Sequence, residues 1–256
     1  MPPSLSIVFP AYNEARRLPP TLRKVLAYLD DKKIDAELLV VDDGSTDGMA
    51  DAVRREFGSH ANVRVLDYGG NRGKGHAVRH GFLAAKGERV LMSDADLSTP
   101  IEELAALTAA LDRGADIAIG SRALGQVMVA QRGVRSFAGK IYNRIIRTIL
   151  PLPPFRDTQC GFKLFRRDRC LPVFAAMKVD RFSFDVESIF LATRSGLRVA
   201  EVPVHWFNDA ESKVRFVRDS SRMFADVVRI RWWWSTGKYP PIVLPADEPL
   251  EHRAGV

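Results

Sequence analysis

Only two cysteines, Cys160 and Cys170, occur in 256 residues. They have neither CxxC spacing nor a histidine cluster beside them, which argues against a disulfide framework or a zinc site and predicts reduced thiols. No stretch approaches the ~18–20 consecutive apolar residues of a membrane-spanning helix. The opening Met1-Pro2-Pro3-Ser4 lacks a basic segment followed by an apolar one, so no secretory leader is expected. Internal repeats and low-complexity linkers are missing as well. A Walker A loop is ruled out because Lys74 is followed by Gly75, and no GxGxxG follows the first strand-like run. His76, His80 and His205 have no triad or metal spacing with one another.

What is present is a substantial apolar fraction, 46%, and a net charge of +7. The first allows a sizeable core. The second points to an anionic partner: nucleic acid, acidic lipid or a phosphorylated small molecule. The charge is concentrated. Between Arg132 and Arg169 ten Lys/Arg (132, 135, 140, 144, 147, 156, 163, 166, 167, 169) face two acids, Asp157 and Asp168.

Short β-branched runs at 4–10, 37–42, 62–67, 88–93 and 115–120 alternate with helical periodicities, the first carrying Leu18, Leu22, Val25, Leu26 and Leu29. The others span 47–57, 74–86 and 101–113. Strand–helix alternation predicts an α/β fold with a Rossmann-like, mostly parallel sheet flanked by helices. Ligands on such sheets bind beyond the carboxyl ends of the strands. The polar clusters fall there: Ala11-Tyr12-Asn13-Glu14, Asp42-Asp43-Gly44-Ser45, Asp94-Ala95-Asp96 and Gly120-Ser121-Arg122. Further on, the pattern predicts a basic amphipathic helix over 132–150, a strand at 161–165 and a helix around 184–195. A strand at 197–203, a last helix over 219–235 and a disordered Pro- and acid-rich tail from 240 complete it.

In "VVDDGSTD" (40–47), Ser45 to Asp47 suit a turn and helix cap, which leaves Asp42 and Asp43 unexplained. "GGNRGKGHAVRHG" (69–81) is a Gly-rich basic loop entering a helix, able to meet phosphate through backbone N–H groups and Arg72 or Lys74. Asp94 and Asp96 are like charges that favour a cation between them, and hard carboxylate oxygens suit Mg²⁺ or Mn²⁺. Carboxylates at 42–43 and 94–96 would repel phosphates, which disfavours a nucleic-acid partner.

"SIVFPAYNEARRLPPTL", "LLVVDDGSTDG", "NRGKGHAVRHGF", "LMSDADLSTP" and "DIAIGSR" stand in the order seen in inverting family-two glycosyltransferases of the GT-A fold, which the chain resembles. "DTQCGFKLFRR" (157–167), "RFSFDVESIFLATRSG" (181–196), "EVPVHW" (201–206) and "SKV" (212–214) are similar to dolichyl-phosphate β-glucosyltransferases, relatives of the dolichyl-phosphate mannose synthases. The resemblance spans roughly 4–235. It implies that Pro10, Ala11, Tyr12, Glu14 and Asp43 hold a nucleoside and Arg72 or Lys74 meets the donor. Asp94, Ala95 and Asp96 would take the ribose and the metal–diphosphate, with Asp94 and Asp96 as metal ligands. Ser98 stands where mannose synthases carry a Gln that assists the metal.

By the same resemblance Arg122, Arg132, Arg135 and Ser136 grip an acceptor phosphate, and Lys213 closes over the diphosphate. Asp96, Arg122, Asp157 and Gln159 form the catalytic group, with Asp157 and Gln159 positioning sugar or acceptor. The implied activity is inverting transfer of a hexose, glucose from UDP-glucose in preference to mannose from GDP-mannose, to a polyprenyl phosphate. A saccharide-hydroxyl acceptor, which would need Asp157 as a base, is the rival; a non-catalytic anion-binding protein is the more distant one. The expected partition is a catalytic domain at 1–218, a C-terminal amphipathic helix at 219–239 and a tail at 240–256. That helix, with Arg218, Arg222 and Arg229 on one side, Met223, Phe224, Val227 and Val228 on the other and Trp232–Trp234 as a belt, is expected to bring the protein peripherally to the cytoplasmic face of a membrane.

Overall fold

The computed structural model describes residues 2–125, 146–207 and 216–246, without the side chains of 216–220. Among these residues seven strands form one sheet in the order β3-β2-β1-β4-β6-β5-β7. They are β1 Leu5–Ala11, β2 Ala36–Asp42, β3 Val63–Asp67, β4 Arg89–Ser93, β5 Ile117–Ser121, β6 Phe162–Arg166 and β7 Val199–Pro203. All pairings are parallel except those of β6, which runs antiparallel to both β4 and β5. The helices are α1 Leu18–Asp31, α2 Met49–Phe57, α3 Lys74–Ala84, α4 Leu104–Asp112, α5 Arg167–Ala176, α6 Phe184–Arg194 and α7 Phe216–Ser235.

The two-residue period of the strands divides the core between the sheet's faces. Ile7, Phe9, Leu38 and Val40 meet Leu18, Leu22 and Val25 of α1, Met49 and Val53 of α2 and Leu107 and Leu111 of α4. Val8, Leu39 and Val41 meet Ala77, Val78 and Phe82 of α3, with α5, α6 and α7 completing that layer. Within it Phe82 stacks on Phe174 with centroids 3.7 Å apart, and Phe165 stands edge-on to both. The two edge contacts add about 0.5–1.5 kcal/mol each beyond area burial.

The helix α5 was not expected, because Pro172 and three charged residues obscure its period. Burial of Cys170, Val173, Phe174 and Ala176 holds it in place, so packing overrides propensity. Of the helix expected at 132–150, residues 146–149 are helical and the portion up to 145 lies outside the described residues.

The C-terminal expectations need correction in two respects. Trp232–Trp234 do not form one belt: Trp232 is exposed, whereas Trp233 and Trp234 pack against the core. The chain from 240 is held in place as far as 245, with Ile242 and Leu244 against the same core and the Arg169 guanidinium donating to the Pro245 carbonyl. Tyr239 anchors this segment. It is 8% exposed, and its hydroxyl donates to the Glu187 carboxylate at 2.7 Å. Residues 247–256 lie outside the described part.

Candidate active site

The parallel strands β1, β2, β4 and β5 all end at one edge of the sheet, so the four polar clusters converge there. Being antiparallel, β6 begins where its neighbours end. Phe162 pairs with Ser93, and this brings Asp157–Gly161 to the same edge as Asp94. The approach is tight: a Cβ on Gly161 would fall 2.0 Å from Asp94 Oδ2, so only glycine allows the Asp94 carboxylate to lie there.

The first two clusters lock each other. Asn13, at φ 56°, donates its N–H to Ser45 Oγ at 2.9 Å and accepts the Thr46 N–H at 2.8 Å. Asp47 accepts from Ala15 N and Met49 N, capping α2 while holding the loop after β1. Asp42 Oδ1 accepts from Ser45 N at 2.8 Å, an ordinary turn-closing contact. Asp43 also serves the protein's own loop. Its Oδ1 accepts from the Tyr68 hydroxyl (2.7 Å), Arg72 N (2.7 Å) and Gly73 N (3.0 Å), and Oδ2 shares Gly73 N. Asp43 therefore shapes the Gly-rich loop that precedes α3. The close passage of Gly44 supports this, since a Cβ there would fall 2.8 Å from Gly70 Cα.

Pro10 and Ala11 are buried strand residues, and the Ala11 carbonyl accepts from Asp43 N. Tyr12 is 42% exposed at the edge. The Glu14 carboxylate is held by both Nε and Nη2 of Arg17 at 2.6 and 2.7 Å. Arg17 was missed in the sequence; its charge also reaches Asp96. Arg72 lies exposed on the loop, and Lys74 opens α3.

Ala95 is buried and its carbonyl accepts from Thr21 Oγ1, which leaves Asp94 and Asp96 partly open on either side. Asp94 Oδ1 accepts from Lys74 Nζ at 2.6 Å. Asp96 Oδ1 accepts from Ser98 N at 3.0 Å. Burial and the charge of Asp94 raise the pKa of Asp96 above that of an ordinary aspartate, more than Ser98 and Arg17 lower it. Two adjacent carboxylates, one with raised proton affinity, fit a hard divalent cation that takes its remaining ligands from water and diphosphate. No cluster of three His, Cys, Asp or Glu suited to a metal occurs among the described residues, so among them such an ion would rest on this pair. Ser98 is tied to Asp96 as well: its N–H orients the carboxylate, and its carbonyl accepts from Phe207 N at 2.8 Å.

On the far side of Gly161, Asp157 accepts from Arg122 Nε (2.6 Å), Nη2 (2.9 Å) and N (3.1 Å) and from Gln159 N (3.1 Å). Burial alone would raise its pKa, but these bonds and the guanidinium charge outweigh it, and the carboxyl is held below the usual aspartate range. Gln159 enters this cluster through its backbone. Glu201 of β7 accepts from Arg156 N and Asp157 N, and the Trp206 ring lies under Arg122, 5.7 Å from centroid to Cζ. Glu201 and Trp206 were also missed, since their partners are some 44 and 84 positions away. Lys213, Arg132, Arg135 and Ser136 lie outside the described residues.

The arrangement offers a carboxylate pair for a cation, a shaped Gly-rich loop beside it, and an arginine fixed by an aspartate across a narrow gap. The structure is similar to glucosyl-3-phosphoglycerate synthase from Mycobacterium tuberculosis, solved with Mn²⁺, UDP-glucose and phosphoglyceric acid. The TM-score is 0.69 at 19% identity, over 90% of this chain and 79% of that one. That likeness concerns the fold, which is the GT-A fold. The chain belongs to glycosyl transferase family 2, whose profile matches residues 6–171. It is 35% identical over 250 residues to the human dolichyl-phosphate β-glucosyltransferase, covering 92% of this chain and 77% of the relative. The Dictyostelium discoideum enzyme of the same name is 35% identical over 249 residues, covering 91% and 75%.

Proposed function

We propose that the protein transfers glucose from UDP-glucose to a polyprenyl phosphate, inverting the anomeric centre to give a β-linked lipid phosphate sugar. The observation that carries this reading is the state of Asp157. A general base needs an unencumbered carboxylate with a pKa raised towards neutrality. Asp157 instead gives both oxygens to Arg122 and is held in its charged form. A saccharide hydroxyl would need a base, whereas a phosphate monoester is already anionic near neutral pH. The names and coverage of the curated relatives support the same acceptor class.

In this reading Asp157 and Gln159 position Arg122, which meets the acceptor phosphate together with Arg132, Arg135 and Ser136. In-line placement of the phosphate oxygen behind the anomeric carbon then does most of the work. Pro10, Ala11, Tyr12 and Glu14 frame the nucleoside, and Asp43 keeps the loop carrying Arg72 in shape. Asp94 and Asp96 would hold Mg²⁺ or Mn²⁺, which when bound supplies charge for the departing diphosphate. Lys213 closes over the same group.

The acceptor is met at a lipid surface through α7. Phe224, Val228 and Trp232, spaced i, i+4, i+8, are 46, 45 and 49% exposed along one line. Arg231 adjoins this line, and Lys238 Nζ lies over the Trp232 ring, 3.7 Å from its centroid. No helix among the described residues is long and apolar enough to cross a membrane. This line and its basic rim suit peripheral attachment to anionic lipid at the cytoplasmic face. The proposed partition follows: a catalytic body to about 218 and the surface helix after it.

The test is incubation with Mg²⁺ or Mn²⁺, a short polyprenyl phosphate and a panel of sugar nucleotides. A glucolipid from UDP-glucose is expected. Product from GDP-mannose alone would move the donor assignment, and glycosylation of a free saccharide only would replace the acceptor class.

A further inference from the structure

Four charges follow one another inward from the sheet edge. Asp94 Oδ1 accepts from Lys74 Nζ at 2.6 Å, with the two side chains 35% and 27% exposed. The starts of α3 and α6 abut, since a Cβ on Gly75 would fall 2.7 Å from Phe184 Cβ, and this brings Asp185, in the first turn of α6, close enough to Lys74 for each charge to act on the other. Asp185 accepts in turn from Lys163 Nζ on β6, and these side chains are 8% and 1% exposed. Lys163 donates also to the Cys160 carbonyl at 2.6 Å, between Asp157 and Gly161. The Lys163–Asp185 pair touches neither nucleotide nor acceptor in the reading above. Buried ion pairs are often no more stabilising than apolar replacements, so stability is a poor account of it. Its consequence is a second carboxylate near Lys74, kept from water and held in place by Lys163.

We infer that Lys74 is a resident cation which a divalent metal displaces from Asp94, and that Lys163 and Asp185 are positioning residues that keep the displaced ammonium inside the site, facing the diphosphate. The inference rests on the assignment of Asp94 and Asp96 to the metal–diphosphate. One carboxylate cannot serve an ammonium and a divalent ion at full strength, and the two cations repel at contact distance. A lysine stem is flexible and its ammonium a compact charge, so the head can move while the helix stays. Asp185, held by Lys163, supplies the counter-charge during that move, and the diphosphate supplies the next one. The metal alone must compete with Lys74. The metal with nucleotide gives Lys74 a new partner, so the two ligands bind with positive coupling, which is reciprocal.

The test measures Mn²⁺ affinity by electron paramagnetic resonance, without and with UDP, on the full chain. Lys74→Met is expected to tighten Mn²⁺ alone by about fivefold or more while weakening UDP in the presence of Mn²⁺ by a similar factor, so the coupling collapses. Unchanged or weaker Mn²⁺ binding in K74M would overturn the displacement. For the buried pair, Lys163→Met with Asp185→Asn removes both charges together and leaves neither one stranded. It is expected to weaken UDP with Mn²⁺ in the Lys74 background and to have no such effect in the K74M background. Equal effects in both backgrounds would make the pair merely structural. Should this double variant fail to fold, Asp185→Glu, which keeps the charge and shifts it by one methylene, goes through the same cycle with the same two outcomes. A wild-type chain that binds no UDP with Mn²⁺ would overturn the functional reading itself, and this inference with it.

Discussion

Replacing Asp157 with Asn separates the two chemistries that this site could perform. The carboxylate accepts four N–H groups, three of them from Arg122. An amide keeps one acceptor and turns an NH₂ towards the guanidinium, so at least one of the two parallel bonds becomes a donor–donor contact. Breaking a fully buried pair costs about 3–5 kcal/mol. Here Asp157 is 6% exposed but Arg122 is 36% exposed, and solvent takes up part of the loss. The expected destabilisation is therefore about 2 kcal/mol by urea unfolding. Its pH dependence has a definite sign. Asp157 is held below the ordinary aspartate value in the folded protein. Its contribution is thus complete above that value and is lost as pH falls through the lower folded pKa. The gap between wild type and D157N should be constant from pH 5 to 8 and close only in stronger acid. In the transferase assay, the loosened Arg122 should lower kcat by about 10–100-fold while the pH–rate profile keeps its shape, because no proton transfer has been removed. A wild-type acidic limb near pH 5–7 that disappears in D157N would show that Asp157 is the base, and would refute the reasoning from its ion pair.

Gly161→Ala should abolish metal-dependent nucleotide binding while leaving the circular dichroism spectrum intact, since the new methyl would lie 2.0 Å from Asp94 Oδ2; wild-type UDP affinity with Mn²⁺ would contradict this. Tyr239→Phe removes the hydroxyl donated to the buried Glu187 carboxylate, a loss of about 2 kcal/mol, or about 4–8 °C in Tm for a domain of this size. An unchanged melting curve would mean the C-terminal segment is held elsewhere. Phe224→Ser with Trp232→Ser should lower flotation with anionic vesicles several-fold and leave Tm near wild type, because both side chains are about half exposed; undiminished flotation would remove α7 from the docking surface.

The strand–helix alternation of the first 120 residues was legible because each run there carries a complete local signal, two-fold or 3.6-fold, and each polar cluster follows directly on a strand. The family motifs made the catalytic edge readable for the same reason. What stayed hidden depended on partners far along the chain. Tyr68 and Arg72 N reach Asp43 from 25 and 29 positions away, and they make its carboxylate the support of a loop as well. The three tryptophans carry no sign of which will face inward; the turn of α7 against Phe190 decides that, with Trp234 edge-on to the ring at 5.4 Å.

By itself the sequence determined that this chain is an α/β protein with carboxylates, glycines and arginines at the ends of its strands, because hydrophobic periodicity and turn chemistry are local. Tertiary structure alone decided what those groups do to one another. The period of "GFKLF" is the same whichever way the strand runs, yet only the antiparallel course of β6 sets Gly161 against Asp94 and Asp157 opposite Arg122. The same is true of the buried charges. Lys163 and Asp185 are 22 residues apart and unremarkable in the sequence, and folding makes them neighbours where water cannot screen them.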